Sequence, residues 1–122
     1  MGVRPPGERR GSGARLADRL WRMASKPPIP MDRIAEFCRK WGVAEFSLFG
    51  SILREDFRDD SDVDVLVAFV PGVKRGLDAW ESMEDEVRGM FGREVDLVER
   101  RRVTNPFRRH EILTSRRVLY AA

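Results

Sequence analysis

The chain has 122 residues, 42% of them hydrophobic and 35% charged, and carries a formal net charge of +3. That length gives room for one domain with one modest core and excludes a second catalytic domain within these residues. No apolar run approaches the roughly 20 residues that span a bilayer, and the start lacks the apolar stretch of a secretory signal, so a cytoplasmic protein without membrane contact is expected.

Residues 1–30 read as a flexible basic N-terminal extension, because Pro5-Pro6-Gly7, Gly11-Ser12-Gly13 and Pro27-Pro28-Ile29-Pro30 are turn or linker signals. Between them, residues 14–24 can form a short helix with Leu16, Leu20 and Met23 along one side and Trp21 beside them; a tail, an upstream start-codon error and a partner-binding helix all stay open. The folded domain is expected over residues 31–122. Asp32 marks a helix start, and Ile34, Phe37, Cys38 and Trp41 follow at helical spacing before Gly42 ends the helix. This stripe should be core, and Cys38, the single cysteine, should pack within it rather than react.

Glu45 to Phe49 reads as a strand, Gly50-Ser51 as a junction, and Ile52-Leu53-Arg54 as the beginning of a helical turn. A second strand carries Val63, Val65 and Val67 on one face, and Asp62, Asp64 and Leu66 on the other. After a loop over residues 70–76, a helix is predicted from Leu77 to Phe91, with Trp80, Met83, Val87 and Met90 or Phe91 on its buried side and Gly92 as its stop. Arg93 to Val98 forms a third short strand, in which Asp96 alternates with Val95 and Leu97. Asn105-Pro106 leads into a helix over residues 107–114 and a final strand over 118–120. Arg108, Arg109, Arg116 and Arg117 read as a solvated face, of which one member can reach a phosphate group, and His110 as a surface histidine.

The chemistry is carried by the carboxylates. Strands disfavour Asp, and period-2 alternation puts Asp62 and Asp64 on one face. Two such charges about 4 Å apart repel by roughly 4 kcal/mol at an effective dielectric near 20. A divalent cation offsets that repulsion, and Mg²⁺ in particular takes one or two carboxylates together with phosphate oxygens and water. The bland alternative makes Asp59, Asp60 and Asp62 a polar turn and Asp64 part of a solvated face. Context weighs against it. If the second and third strands are neighbours in register, Asp96 joins Asp62 and Asp64 on one face, where the three can hold two metal ions for an in-line phosphoryl displacement. Gly50-Ser51 supplies a junction at which backbone amides can approach a phosphate closely, and Ser51 adds a hydroxyl. The loop over residues 70–76 is placed near the open end of the Asp strand, lining a nucleotide pocket. Charge is uneven: residues 1–30 carry +5, residues 31–99 carry −8 and residues 100–122 carry +6. An acidic centre with basic flanks suits a metal site whose polyphosphate ligand or acidic partner is gripped from the periphery; direct nucleic-acid binding ranks lower, because the cations are nearly all Arg.

Gly50-Ser51, then Asp60-Ser61-Asp62-Val63-Asp64, then Val95-Asp96-Leu97-Val98 resembles the polymerase-beta-type nucleotidyltransferase superfamily, and within it the small stand-alone minimal nucleotidyltransferases, or MNT domains. The likeness runs from about Ile29 to Ala122. It implies an α/β fold: a small mixed β-sheet of three to four strands with helices mainly on one face and the carboxylate face open. It further implies that Gly50 and Ser51, with Arg54 and Ser61, bind the nucleotide triphosphate, that Asp62 and Asp64 ligate Mg²⁺, and that Asp96 completes the metal site or activates the acceptor hydroxyl. One departure is Arg54-Glu55 where many relatives carry Arg-Gly, which bears on the loop and spares the catalytic positions. The activity implied is transfer of AMP from ATP to a hydroxyl. Members of the family are often antitoxins paired with a HEPN-domain ribonuclease toxin, and some adenylylate a tyrosine of it. Two other readings stand beside this one: an antitoxin that neutralises by binding alone, and transfer to a small-molecule hydroxyl. With no second domain to grip the acceptor, the acceptor itself or a second copy of the chain in a homo-oligomer is expected to complete the site.

Overall fold

Helix α1 (Met31–Trp41) opens directly after Pro30, and Asp32 sits in its first turn, where a negative charge complements the helix dipole without capping it. The computed structural model describes residues 26–55, 57–58 and 60–122; the short helix expected over residues 14–24 and the turn residue Asp59 lie outside the described residues. Four strands follow, β1 (Val43–Phe49), β2 (Val63–Phe69), β3 (Val95–Glu99) and β4 (Arg117–Ala121), in the sheet order β3-β2-β1-β4. β1 is antiparallel to both β2 and β4, whereas β2 and β3 are parallel and are joined by the crossover helix α2 (Leu77–Phe91). This is the small mixed sheet expected of the family.

Alternation decides what each sheet face does. Val63, Val65 and Val67 of β2 and Phe46 and Leu48 of β1 point to one side, where Ile34, Phe37 and Cys38 of α1 and Met83, Val87 and Phe91 of α2 cover them. Phe37 meets Phe46 edge to face, with ring centroids 5.9 Å apart. On the rim of this core, Lys40 Nζ and Trp41 Nε1 both reach the Glu86 carboxylate, at 2.7 and 3.2 Å, and tie α1 to α2.

The opposite face is less open than the sequence suggests. Phe49 and Leu66 fall on it by the same alternation, and an apolar pair in the middle of a sheet needs cover. Helix α3 (Pro106–Ser115) provides it: Ile112 and Val103 close a second apolar cluster over Phe49 and Leu66, leaving Leu66 only 1% exposed. The start of α3 is well specified locally. Asn105 Oδ1 accepts from the amides of Phe107 and Arg108, each at 3.0 Å, and Pro106 occupies the first turn, where its missing N–H costs nothing. No helix among the described residues is long and apolar enough to cross a membrane.

Candidate active site

The ends of three strands meet where the candidate site lies. Phe49, the last residue of β1, pairs with Asp64 of β2, and Asp64 pairs in parallel register with Asp96 of β3. Paired positions on adjacent strands are about 5 Å apart, so Asp64 and Asp96 are direct neighbours across the ladder. Asp62 stands one residue before β2 and is exposed, as is Asp96; Asp64 is half-buried.

Immediately after Phe49 the chain turns through a short 3-10 segment, Gly50–Leu53. Gly50 has φ 75°, and a Cβ built there would overlap Asp64 Oδ2. Glycine is therefore required twice at this position, for its backbone angle and for the close approach of the turn to the carboxylate. The approach has a result: the Ser51 amide donates to the Asp64 carboxylate.

Burial and then the charge of Asp96 push the Asp64 carboxyl above its ordinary value, with a smaller contribution from Asp62. The Ser51 amide and the Arg108 guanidinium act in the opposite direction without overcoming them. Asp64 thus sits among like charges that the protein's own groups only partly offset.

A cleft of about 670 Å³ opens over this point, lined by Gly50, Arg54, Asp64, Arg108, Glu111 and Ser115 and floored by Phe49, Leu53 and Ile112. Of the residues expected at the site, Gly50, Arg54 and Asp64 line it, Ser51 binds Asp64 from the adjoining turn, and Asp62 and Asp96 flank Asp64. Ser61 is placed differently. Its hydroxyl accepts from the Arg58 amide at 3.1 Å, and its own amide donates to the Arg58 carbonyl at 3.0 Å, closing the turn that leads into β2.

The carboxylates suit a hard divalent cation in kind. Among the described residues no three Asp, Glu, His or Cys side chains are gathered around one point. What stands together is the pair Asp64 and Asp96, the donor number that Mg²⁺ takes from a protein when phosphate and water supply the remainder.

Two sequence expectations need correction. The loop over residues 70–76 does not line this cleft, because β2 carries it to the far end of the sheet. There Val70 donates to the Gly42 carbonyl, and Arg75 donates to the Trp41 carbonyl at 2.6 and 3.0 Å. Nor do the cations of the tail form one solvated face. Arg109 donates to the carbonyls of Arg100 and Val103, and Arg116 pairs with Glu45 at 2.6 Å, because both lie on the sheet side of α3. Arg108 lines the cleft. The spacing Arg108, Glu111, Ile112, Ser115 is a helical stripe that points into the cleft only once Ile112 is seen to be buried and so marks the inward side.

Comparison with known proteins places this geometry. A family model described as a nucleotidyltransferase domain matches residues 31–119. The protein adenylyltransferase MntA of Thermococcus cleftensis is 35% identical over 65 residues, which make up 52% of this chain and 62% of that protein, so the match spans less than two thirds of the relative's length. A solved structure of a minimal nucleotidyltransferase is 31% identical with a TM-score of 0.59, over 71% of this chain and 86% of that one. A tri-AMPylated HEPN toxin of Shewanella oneidensis in complex with an MNT antitoxin gives a TM-score of 0.55 over 75% of this chain and 70% of that one; at 18% identity this is a likeness of fold.

Proposed function

The chain belongs to the nucleotidyltransferase domain family, and from that premise we propose that it transfers AMP from ATP to a hydroxyl of a partner protein, releasing pyrophosphate. The observation that carries the reading is the register pair Asp64 and Asp96 beside the Gly50 turn, with Asp64 lining a cleft that has an arginine on two of its elements. The name of the adenylyltransferase relative and the AMPylated toxin in the structural neighbour support AMP as the group moved and a HEPN-type toxin as the acceptor; a tyrosine of that toxin is the hydroxyl we propose. The chain would then act as the antitoxin of such a pair.

Gly50 and Ser51 bring the turn against the polyphosphate, and Arg54 faces it from the same segment. Asp96, exposed and next to Asp64, would accept the acceptor's proton. The acceptor oxygen bonds to the α-phosphorus as the bond from that phosphorus to the bridging α–β oxygen breaks, and the electron pair leaves with pyrophosphate. Asp64 and Asp96, the pair that stands together, would hold Mg²⁺ with Asp62 beside Asp64, and the ion when bound would offset their repulsion and neutralise charge on the phosphates. The cleft opens on the surface of the domain, where a hydroxyl of a partner protein would reach it.

Intact-mass measurement of a HEPN-type protein co-expressed with this chain and incubated with it and Mg-ATP tests the reading. An adduct of one or more AMP groups is expected with the wild type and is expected to vanish with Asp64→Asn and Asp62→Asn, each of which removes a charge at nearly constant size. An adduct that persists in both variants overturns the carboxylate assignment. An unmodified but tightly bound partner moves the protein to neutralisation by binding.

A further inference from the structure

Arg108 is the one cation of α3 that lines the cleft. It lies 54 positions along the chain from Arg54, yet both line the same cleft. Its backbone amide is taken by the Asn105 cap, which fixes the first turn of the helix and so the direction in which its side chain leaves. Two further ties hold that helix down: Arg109 to the carbonyls of Arg100 and Val103, and Arg116 to Glu45. The guanidinium of Arg108 enters no ion pair among the described residues, although Asp64 feels its charge. Glu111, one turn further along, adds a negative charge on the same wall. An anion in the cleft is therefore attracted to the Arg108 end and repelled from the Glu111 end.

The geometry points to Arg108 as a polyphosphate-binding residue, which with Arg54 grips the β- and γ-phosphates of the nucleotide between α3 and the turn after β1. This rests on the nucleotidyl-transfer reading and adds to it a second wall: the turn meets the phosphates from one element and α3 meets them from another. Arginine suits the place because its planar fork holds two phosphate oxygens in a fixed bidentate geometry, whereas lysine acts as a point charge. The consequence is selectivity. A ligand with two or three linked phosphates engages both arginines, whereas AMP offers a single phosphate that need not reach Arg108.

The test is binding rather than turnover. Calorimetric titration with ATP, AMP and inorganic tripolyphosphate in Mg²⁺ buffer is compared for the wild type, Arg108→Met and Arg108→Lys. Arg108 is exposed, so the variants should melt with the wild type. Arg108→Met is expected to bind ATP and tripolyphosphate roughly tenfold or more weakly, the usual loss for a hydrogen bond to a charged group. AMP binding should stay within about twofold, and Arg108→Lys should fall between the two. Unchanged ATP affinity in Arg108→Met overturns the inference and leaves the functional reading standing; so does an equal loss of ATP and AMP, which would mean general damage to the cleft. Failure of the wild type itself to bind ATP overturns both.

Discussion

Gly50 shows how one residue can decide a site. Its φ of 75° lies in the left-handed region, and the space where a side chain would go is filled by Asp64 Oδ2. Gly92 has a similar angle, φ 69°, but nothing stands within 4 Å of its missing Cβ. The pair separates conformational cost from crowding. Gly92→Ala should lose about 1–2 kcal/mol of stability, the cost of placing an L-residue in that region, and keep its ATP affinity. Gly50→Ala should lose at least as much and also lose ATP binding and transfer, because the turn must retreat from Asp64 and the Ser51 amide goes with it. Urea denaturation and ATP titration of the two variants check this; wild-type ATP affinity in Gly50→Ala would show that the close approach is not needed.

At the scale of the element, α3 is the part that converts a sheet face into a cleft, and it is pinned by a carboxylate. Glu45 accepts from Arg116 at 2.6 Å and from the Ser47 hydroxyl at 3.1 Å, and Arg100 lies 3.7 Å away. Burial alone would raise the Glu45 carboxyl, but Arg116, Ser47 and Arg100 outweigh it and hold the group below its ordinary range. The sign follows. A carboxylate whose folded value is lowered adds stability above its unfolded value near pH 4.5, and that stability is lost as pH falls through the folded value. Glu45→Gln should therefore cost about 1–2 kcal/mol at pH 7, and the gap to wild type should narrow below pH 4. Thermal melts across pH 3–7 measure it, and a gap independent of pH would remove the ion pair from the account. Little of this device was legible beforehand. The stripes of α1 and α2, the valine alternation of β2 and the stops at Gly42 and Gly92 are local patterns, and the elements follow them. The pairing of Glu45 with Arg116 spans 71 positions and is fixed by β4 docking beside β1, which no local pattern announces. For the same reason the tail arginines looked alike in sequence, although one lines the cleft and two tie the helix down.

For the whole molecule, the two faces of the sheet are unequal, and the site lies on the weaker one. Asp64 and Asp96 were legible because each breaks an apolar strand; their convergence awaited the parallel register of β2 and β3. The face behind them holds the main core, while the face they occupy is closed by a smaller cluster in which Phe49, Leu66, Val103 and Ile112 are buried and Val98 and Leu113 are half-buried beside them. A helix resting on four buried side chains can open without the main core following, as local units of low stability do. Ile112→Ala tests that division. Removing a buried isoleucine costs about 2–5 kcal/mol where the whole structure depends on it. If α3 opens separately, the loss falls on that opening alone: amide exchange over residues 109–116 should accelerate roughly thirtyfold or more, the factor for 2 kcal/mol. Amides of β1 and β2 should keep their protection. ATP affinity should fall as well, since the wall that carries Arg108 would be withdrawn for part of the time. Equal loss of protection in α3 and β1 would mean instead that the two faces fold as one cooperative unit, and that the cleft is as rigid as the core beneath it.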